Sequence, residues 1–216
     1  MNKIKSRLKQ TFIYSIWNNY KKNSKKDLEE KEIISQWNSR GRPVPIPQIF
    51  KRCVIKKYAK NFHSKILVES GTYMGDTVED CKSLFKKIFS IELDNILFKN
   101  AKKRFQPDSH ILIVHGDSGE RIKEIITGIN EPCIFWLDGH YSEGITAKGD
   151  LSTPILQELN HIFNHIIDNH VILIDDARCF TGEDDYPTIE ELKNFVKSRK
   201  PYFQFSVIND IIRIHK

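Results

Sequence analysis

The sequence predicts an α/β fold, a mostly parallel seven-stranded sheet with helices on both faces and an antiparallel hairpin at its C-terminal end. Two observations predict it. From residue 65 onwards, short apolar runs alternate with amphipathic helical patterns, which is typical of parallel strands joined by crossover helices. The last two strand patterns, residues 202–208 and 211–215, are separated only by Asn209 and Asp210. Because a parallel crossover needs a dozen or more residues, this short link predicts a hairpin.

The N-terminal part of the chain differs in charge from the rest. Residues 1–65 contain 17 Lys and Arg and 4 Asp and Glu, a net charge of +13, whereas residues 66–216 contain 17 and 24, a net charge of −7. In residues 3–22, apolar side chains recur at helical spacing opposite a lysine-rich face. This pattern predicts a helix that packs on the protein or on a second copy, or that docks on an anionic membrane surface.

Three prolines mark a domain boundary. Pro43, Pro45 and Pro47 exclude a regular helix there, since proline lacks the backbone donor and restricts its neighbours. We therefore expect a basic helical arm and linker over residues 1–47 and one domain over residues 48–216.

The elements of that domain follow in order. Apolar runs predict strands at residues 65–69, 88–92, 110–114, 133–138 and 171–175 before the two hairpin strands. Helical patterns separate them, with apolar faces formed by Val78, Cys81 and Phe85; Ile96, Leu97, Ala101 and Phe105; Ile122, Ile125, Ile126 and Ile129; and Ile155, Leu159, Ile162, Phe163 and Ile166. The fourth helix is predicted to open on Ser152 and Thr153 with Pro154 at its first position. The fifth is predicted to open on a capping box of Thr188 and Glu191.

Composition indicates where in the cell the protein is located. No apolar run approaches the roughly 20 residues of a membrane-spanning helix. The N-terminus lacks a secretory pattern. The four cysteines are far apart, which disfavours structural zinc and a disulfide framework. We expect a cytoplasmic protein. The basic arm leaves open that the protein lies at the inner face of the membrane.

The turn after the first predicted strand carries the pattern Glu-x-Gly-x-x-x-Gly. Gly71 permits a sharp turn and the close approach of a ligand, and the helix that follows Gly75 offers unpaired N–H groups. Glu69 can bind the amino group of an amino-acid moiety, directly or through water. An ordinary strand-to-helix turn could show the same glycines. The candidate binding residues here are Glu69, Gly71, Thr72 and Gly75.

Acidic residues also follow the next two predicted strands. Glu92 lies 23 residues after Glu69, at a place where a carboxylate accepts hydrogen bonds from ribose hydroxyls. Asp117 and Ser118 follow the third strand, where an Asp can accept from an adenine amino group. The plain alternatives are a surface carboxylate for Glu92 and a helix cap for Asp117 and Ser118. Because parallel strands end at one crevice, the three together predict an adenosine-type ligand.

The Glu69-x-Gly71-x-x-x-Gly75 turn, Glu92 and the hairpin resemble class I S-adenosylmethionine-dependent methyltransferases, over residues 60–216. The resemblance implies a Rossmann-like sheet with strand order 3-2-1-4-5-7-6 and S-adenosylmethionine as cofactor. It places the methionine part near Glu69 and Gly71, the ribose on Glu92, and the adenine near Asp117 and Ser118. The turn lacks the phosphate fingerprint of NAD enzymes, which a cofactor without phosphates does not need.

Three aspartates follow the fourth and fifth predicted strands. Asp138 follows the fourth, and Asp175 and Asp176 follow the fifth. Neighbouring parallel strands deliver such residues to the same edge of a sheet, so we expect the three to converge. Converging carboxylates suit a hard divalent cation such as Mg²⁺. The alternative is that Asp175 and Asp176 buttress loops while Asp138 holds a water.

Neighbouring residues are candidates for acid–base chemistry and acceptor binding. Methyl transfer to a hydroxyl requires removal of its proton, and Asp138 or His140 can serve as the base. Arg178 can bind an acceptor carboxylate or phosphate. The alternatives are that His140 packs a loop and that Arg178 forms a salt bridge with its acidic neighbours. Residues 143–150 and 180–186 are predicted either to close over the substrate or to be solvated loops.

The ends of the fourth and fifth strands resemble metal-dependent sugar O-methyltransferases of the macrocin type. These carry an Asp after the fourth strand and an Asp pair after the fifth, which match Asp138, Asp175 and Asp176 here. His140 stands where the family pattern L-D-G-D has its last Asp. The segments 136–154 and 174–186 also resemble methyltransferase-like proteins associated with bacterial surface-polysaccharide synthesis.

Together these features predict an S-adenosylmethionine-dependent O-methyltransferase acting on a small polar acceptor, a sugar or glycan hydroxyl, with assistance from Mg²⁺. Two alternatives stay open, a metal-free methyltransferase acting on nitrogen, protein or nucleic acid, and a non-catalytic nucleoside-binding adaptor. The acidic body disfavours a nucleic-acid partner. The converging carboxylates disfavour an inert module. Membrane contact through the arm and a homo-oligomer are left open.

Overall fold

The computed structural model describes residues 28–139 and 153–216, and the chain divides into two units between Phe50 and Lys51. Four predicted features lie outside the described residues, namely the helix of residues 3–22, His140, the loop of residues 143–150 and the helix-opening residue Ser152. The domain boundary after Pro47 stays a prediction.

In the first unit, residues 28–39 form helix α1 and a proline-rich segment follows. Trp37 of α1 contacts this proline-rich segment. Its indole Nε1 donates a hydrogen bond to the carbonyl oxygen of Pro43 at 2.8 Å, and its ring centroid lies 4.7 Å from that of Phe50. A Trp buried with its N–H satisfied in this way loses little by leaving water.

The second unit contains a seven-stranded sheet of order β3-β2-β1-β4-β5-β7-β6. Strands β1 to β5 are parallel, while β7 pairs antiparallel with both β5 and β6. The predicted fold class and strand order are therefore confirmed. The strands are β1 Ile66–Ser70, β2 Lys87–Glu92, β3 Ile111–His115, β4 Cys133–Leu137, β5 Val171–Ile174, β6 Gln204–Ile208 and β7 Ile211–His215.

The helices after α1 are α2 Gln48–Asn61, α3 Asp76–Cys81, α4 Asn95–Arg104, α5 Ser118–Ile126, α6 Ile155–Phe163 and α7 Ile189–Arg199, with a 3₁₀ turn at Ala177–Cys179. Helix α2 was not predicted, whereas α3 to α7 lie in the predicted intervals. The capping box of Thr188 and Glu191 is present at the start of α7. Among the described residues, no helix combines the length and the apolar character needed to cross a membrane.

Two details of α6 were wrong. Pro154 is the N-cap residue, and Ile155, not Pro154, is the first helical residue. The N–H of Ile155 still donates to the Thr153 hydroxyl at 3.4 Å, although Thr153 is not the N-cap residue. Ile166 lies beyond the end of the helix and is 88% exposed, because the helix ends three residues earlier than its apolar spacing suggested.

The hairpin turn forms as predicted. Asn209 and Asp210 have φ values of 49° and 58°. Two consecutive residues with positive φ are what a two-residue turn requires if its twist is to match that of the strands, and Asn and Asp tolerate this conformation.

The two faces of the sheet have different roles. Alternate strand residues such as Val68, Phe135 and Ile172 join residues of α5, α6 and α7 in one hydrophobic cluster. Because side chains alternate along a strand, Glu69 and Trp136 point to the opposite face. The polar residues at the strand ends therefore lie outside the main apolar cluster.

Candidate active site

The carboxylate of Glu69, near the end of β1, is enclosed by hydroxyl groups. Ser90 Oγ on the adjacent strand β2 donates to Glu69 Oε2 at 2.5 Å, and Ser90 Oγ also lies 2.6 Å from Thr72 Oγ1. Because Ser90 has one proton to give, the Thr72 hydroxyl is the donor in the second bond. Glu69 is 1% exposed. Burial raises its pKa to about 8, against the hydrogen bond from Ser90 and with a further increase from the charge of Asp138.

Gly71 holds the turn after β1 against the end of β4. Its φ is +84°, and a Cβ atom added there would lie 2.4 Å from the carbonyl oxygen of Asp138. The backbone N–H groups of Gly71 and Thr72 both donate to the carbonyl oxygen of Ile91, at 3.0 and 3.1 Å. Glycine is therefore required here by conformation and by close approach. Gly75 is the N-cap of α3 and has a φ of 79°.

Glu92 at the end of β2 accepts hydrogen bonds from the backbone of the same turn and of the residues that follow β2. Its Oε2 accepts from the N–H of Tyr73 at 2.7 Å, and its Oε1 accepts from the N–H of Asp94 at 2.9 Å. Burial raises the pKa of Glu92, and these backbone donors oppose that increase. A carboxylate has about four acceptor sites, and the backbone of Leu93 also hydrogen-bonds to this one, so Glu92 retains capacity for one more donor such as a ribose hydroxyl.

Asp117 serves as the N-cap of helix α5. Its Oδ1 accepts from the N–H of Gly119 at 2.7 Å, which is the capping geometry that the sequence left open as an alternative. Ser118 is buried beside the end of β4, since a Cβ atom added to Gly139 would lie 3.0 Å from Ser118 Oγ. The start of α5 therefore lies next to the residue that follows Asp138 at the end of β4.

Asp138, Asp175 and Asp176 converge. Each offers a carboxylate oxygen, and these oxygens all lie within 4.8 Å of one another. The backbone explains the convergence, since the N–H of Asp138 donates to the Ser70 carbonyl oxygen at 3.1 Å and the N–H of Asp175 donates to that of Leu137 at 3.0 Å. We call these three residues the aspartate cluster.

A lysine contacts the aspartate cluster. Lys51 on α2 is 5% exposed, and its Nζ forms an ion pair with Asp175 Oδ2 and lies 3.5 Å from Asp176 Oδ1. Burial lowers the pKa of Lys51, but the charges of Asp175, Asp138 and Asp176 more than offset this, and the pKa is raised. Burial and the charge of Asp138 raise the pKa of Asp175, while Lys51 lowers it.

Arg178 supplies a second cation. Its Nη1 lies 2.7 Å from Asp176 Oδ1 and also pairs with Asp210 Oδ2. Asp210 belongs to the turn between β6 and β7, and its Oδ1 accepts from the N–H of Arg178 at 2.8 Å. The salt bridge that the sequence left open for Arg178 is therefore present. Its role in binding an acceptor stays a prediction.

The charges around the aspartate cluster do not fit an additional Mg²⁺ ion. Asp175 Oδ2 faces the Lys51 ammonium, Asp175 Oδ1 accepts from the N–H of Asp176 at 2.9 Å, and Asp176 Oδ1 faces both cations. A divalent cation bound to these oxygens would have to displace an ammonium group or lie next to it.

A shallow recess that is partly open to solvent adjoins Asp175, with a cavity volume of about 10 Å³. Its walls come from the ends of β4 and β5, from α6 and from the segment after the 3₁₀ turn. They are formed by Leu137, Gly139, Thr153, Ile155, Glu158, Ile174, Asp175, Phe180 and Tyr186. The recess lies beside the predicted reaction site and includes two residues, Phe180 and Tyr186, of the predicted acidic loop.

Sequence reasoning missed Lys51, Ser90 and Asp210. Lys51 had a detectable signal, because it shares a helical face with the buried residues Val54, Ile55 and Ala59. Ser90 and Asp210 had none, since their contacts depend on the exact register and loop placement, which the predicted strand order does not give.

Comparisons with known proteins agree with this topology. No protein-family model and no curated protein matches the sequence. Solved structures do match. The O-methyltransferase TomG of Streptomyces achromogenes, in complex with S-adenosylmethionine, has a TM-score of 0.56 at 10% identity, over 87% of this chain and 89% of that one. An O-methyltransferase of Bacillus cereus, in complex with S-adenosylhomocysteine, has a TM-score of 0.54 at 11% identity, over 87% and 90%.

The chain has the class I S-adenosylmethionine-dependent methyltransferase fold. A Clostridium thermocellum protein described as an rRNA methylase shares this fold, with a TM-score of 0.53 at 16% identity, over 74% of this chain and 94% of that one. Acceptors of different chemistry thus occur on one methyltransferase fold, and the acceptor has to be argued from residues.

Proposed function

We propose that this protein is an S-adenosylmethionine-dependent O-methyltransferase that acts on a small polar acceptor, a sugar or glycan hydroxyl. One observation carries the proposal. Four acidic residues, Glu69, Glu92, Asp117 and Asp138, lie at or just beyond the C-terminal ends of four adjacent parallel strands, in a sheet of the methyltransferase order. This edge of an open α/β sheet is where ligands bind.

The residues of this edge fit the cofactor in chemical type. Glu92 has acceptor capacity for ribose hydroxyls, and the turn from Gly71 to Gly75 is held between β2 and β4. Glu69 is a buried carboxyl whose raised pKa falls if a cationic amino group approaches, because an opposite charge favours the ionised form. When bound, S-adenosylmethionine would supply a methyl group on a positively charged sulfur.

On the acceptor side, this chain has to orient a hydroxyl and take its proton. We assign proton acceptance to Asp138, which follows β4 next to the cofactor edge, or to His140, which comes two residues later in the sequence. Alignment supplies much of the rate of such a displacement, because it replaces a bimolecular encounter. No divalent cation is included in the proposal, since Lys51 and Arg178 already contact the aspartate cluster.

Charge favours a small acceptor over a polyanion. Residues 66–216 carry a net charge of −7, and four buried or half-buried acidic side chains line the cofactor edge. A nucleic-acid backbone would be repelled there, whereas a sugar hydroxyl carries no charge that such an edge would oppose.

The test is calorimetric titration of the full chain with S-adenosylmethionine and S-adenosylhomocysteine. We expect micromolar binding of both, and binding at least about tenfold weaker in Glu92→Gln, since a hydrogen bond to a charged acceptor is lost. Glu120→Gln, an exposed change on α5, is the matched control and should bind as the wild type does. If a folded wild type binds neither ligand, the proposed function is wrong.

A further inference from the structure

Lys51 is a buried cation on an otherwise apolar helix face. It is 5% exposed and lies on the same face of α2 as Val54, Ile55 and Ala59, which are also buried. Burying an ammonium group is costly unless it is paired. The carboxylates of the aspartate cluster provide that pairing, because Lys51 Nζ contacts Asp175 Oδ2 and lies 3.5 Å from Asp176 Oδ1.

The dependence is mutual. Three carboxylates whose oxygens lie within 4.8 Å of one another repel each other unless a cation lies among them. Arg178 contacts the cluster from the side of the hairpin turn and is shared with Asp210. Lys51 contacts it from α2, and its pKa responds to all three aspartates of the cluster. Lys51 therefore places its ammonium group against two of the three carboxylates that a metal ion bound to the cluster would need.

We propose that the Lys51 ammonium group is the resident cation of the aspartate cluster and takes the place of a divalent metal there. Two consequences follow. Divalent cations bind weakly to the wild-type protein, because the ammonium repels them and uses the oxygen atoms they need. Removing the ammonium leaves three converging carboxylates, which are the ligands that Mg²⁺ and Mn²⁺ prefer.

A further consequence rests on the proposed function. Methyl transfer by this protein should persist in the presence of a chelator, since no step depends on a metal. This readout is separate from metal binding. A protein without methyltransferase activity leaves the metal-binding result unchanged, so failure of the proposed function and failure of the present inference can be told apart.

The test is a titration of the full-length, metal-free protein with Mn²⁺, following free Mn²⁺ by electron paramagnetic resonance. We compare wild type, Lys51→Met and Lys57→Met, the last being an exposed change on the same helix. We expect Lys51→Met to bind Mn²⁺ at least about tenfold more tightly than the other two proteins. The gain should disappear in Lys51→Met combined with Asp175→Asn.

Two results would overturn the inference. One is tight Mn²⁺ binding by the wild type that Asp175→Asn abolishes, since the cluster would then hold a metal despite Lys51. The other is equal Mn²⁺ affinity in wild type and Lys51→Met. If Lys51→Met fails to fold, titrations of the wild type and of Asp175→Asn with Mn²⁺ test the inference instead. Equally weak Mn²⁺ binding by the wild type and by Asp175→Asn supports the inference.

Discussion

The two halves of the candidate site neutralise their buried carboxylates differently. Around the ends of β1 to β3, the partners are uncharged, namely hydroxyls for Glu69 and backbone N–H groups for Glu92 and Asp117. Around the ends of β4 and β5, the partners are the permanent cations Lys51 and Arg178. The first half has no permanent counterion, so its carboxyl groups can pair with an incoming cationic or hydroxyl-bearing ligand, whereas the second half already holds its counterions.

The largest expected effect is on the charged half. Lys51→Met leaves buried carboxylates without their cation, so we expect the free energy of unfolding to fall by about 3–5 kcal/mol. Lys57→Met, exposed on the same helix, should change it by less than about 0.5 kcal/mol. Urea unfolding at neutral pH measures both. A loss below about 1 kcal/mol for Lys51→Met would mean that hydration, not pairing, stabilises this ammonium.

The next effect is on the uncharged half, at the turn that holds it together. Gly71→Ala places a side chain at positive φ and against the Asp138 carbonyl oxygen, so we expect a loss of about 2–3 kcal/mol. Gly128→Ala is the control, because its Cβ would meet only the Ile125 carbonyl oxygen at 3.8 Å. Thermal unfolding compares the two variants. Equal stability would show that the turn can move away from β4.

The stability of the uncharged half should depend on pH through the carboxyl group of Glu69. The folded-state pKa of Glu69, about 8, lies above its ordinary value of 4.5, so the folded protein holds a proton that the unfolded chain releases. Stability from this group is full below about pH 4.5 and is lost as the pH rises towards 8. We expect Glu69→Gln to gain more than about 1 kcal/mol on the wild type between pH 5 and pH 8.

Unfolding curves of the ligand-free proteins at several pH values check this. Glu120→Gln, whose carboxyl is exposed, should follow the wild type throughout. A constant difference between Glu69→Gln and wild type would show that Glu69 is ionised across the whole range.

The smallest effect concerns the more exposed cation. The Arg178 side chain is 35% exposed, so solvent screens its pairs with Asp176 and Asp210, and we expect Arg178→Gln to cost about 1 kcal/mol. Arg121→Gln removes an equally exposed arginine whose partner Glu124 is itself exposed, and it should cost less than about 0.5 kcal/mol. Should Arg178→Gln equal Lys51→Met in urea unfolding, burial would not be what distinguishes the two cations.

Sequence patterns predicted the fold because the relevant signals are local. Strand and helix periods, the Thr188 capping box and the Asn209–Asp210 turn each depend on a few neighbouring residues. The convergence of Asp138, Asp175 and Asp176 was also predictable, since parallel strands end at one edge.

What the sequence could not supply depends on tertiary placement. Lys51 precedes the first strand and differs from its neighbouring lysines only in the face of α2 that it occupies. The capping role of Asp117 competes with its predicted ligand role, and both fit the same residue type. The short α6 ends before Ile166 because folded-state packing, not apolar spacing, decides where a helix ends.

The central claim is that the ends of β1 to β3 bind a sulfonium nucleoside, and a crystal structure of the protein with S-adenosylhomocysteine tests it most directly. We predict a ribose hydroxyl within about 3.2 Å of a Glu92 carboxylate oxygen, with the Tyr73 and Asp94 N–H bonds retained. The nucleoside bound elsewhere, with Glu92 contacting only the backbone, would contradict the account.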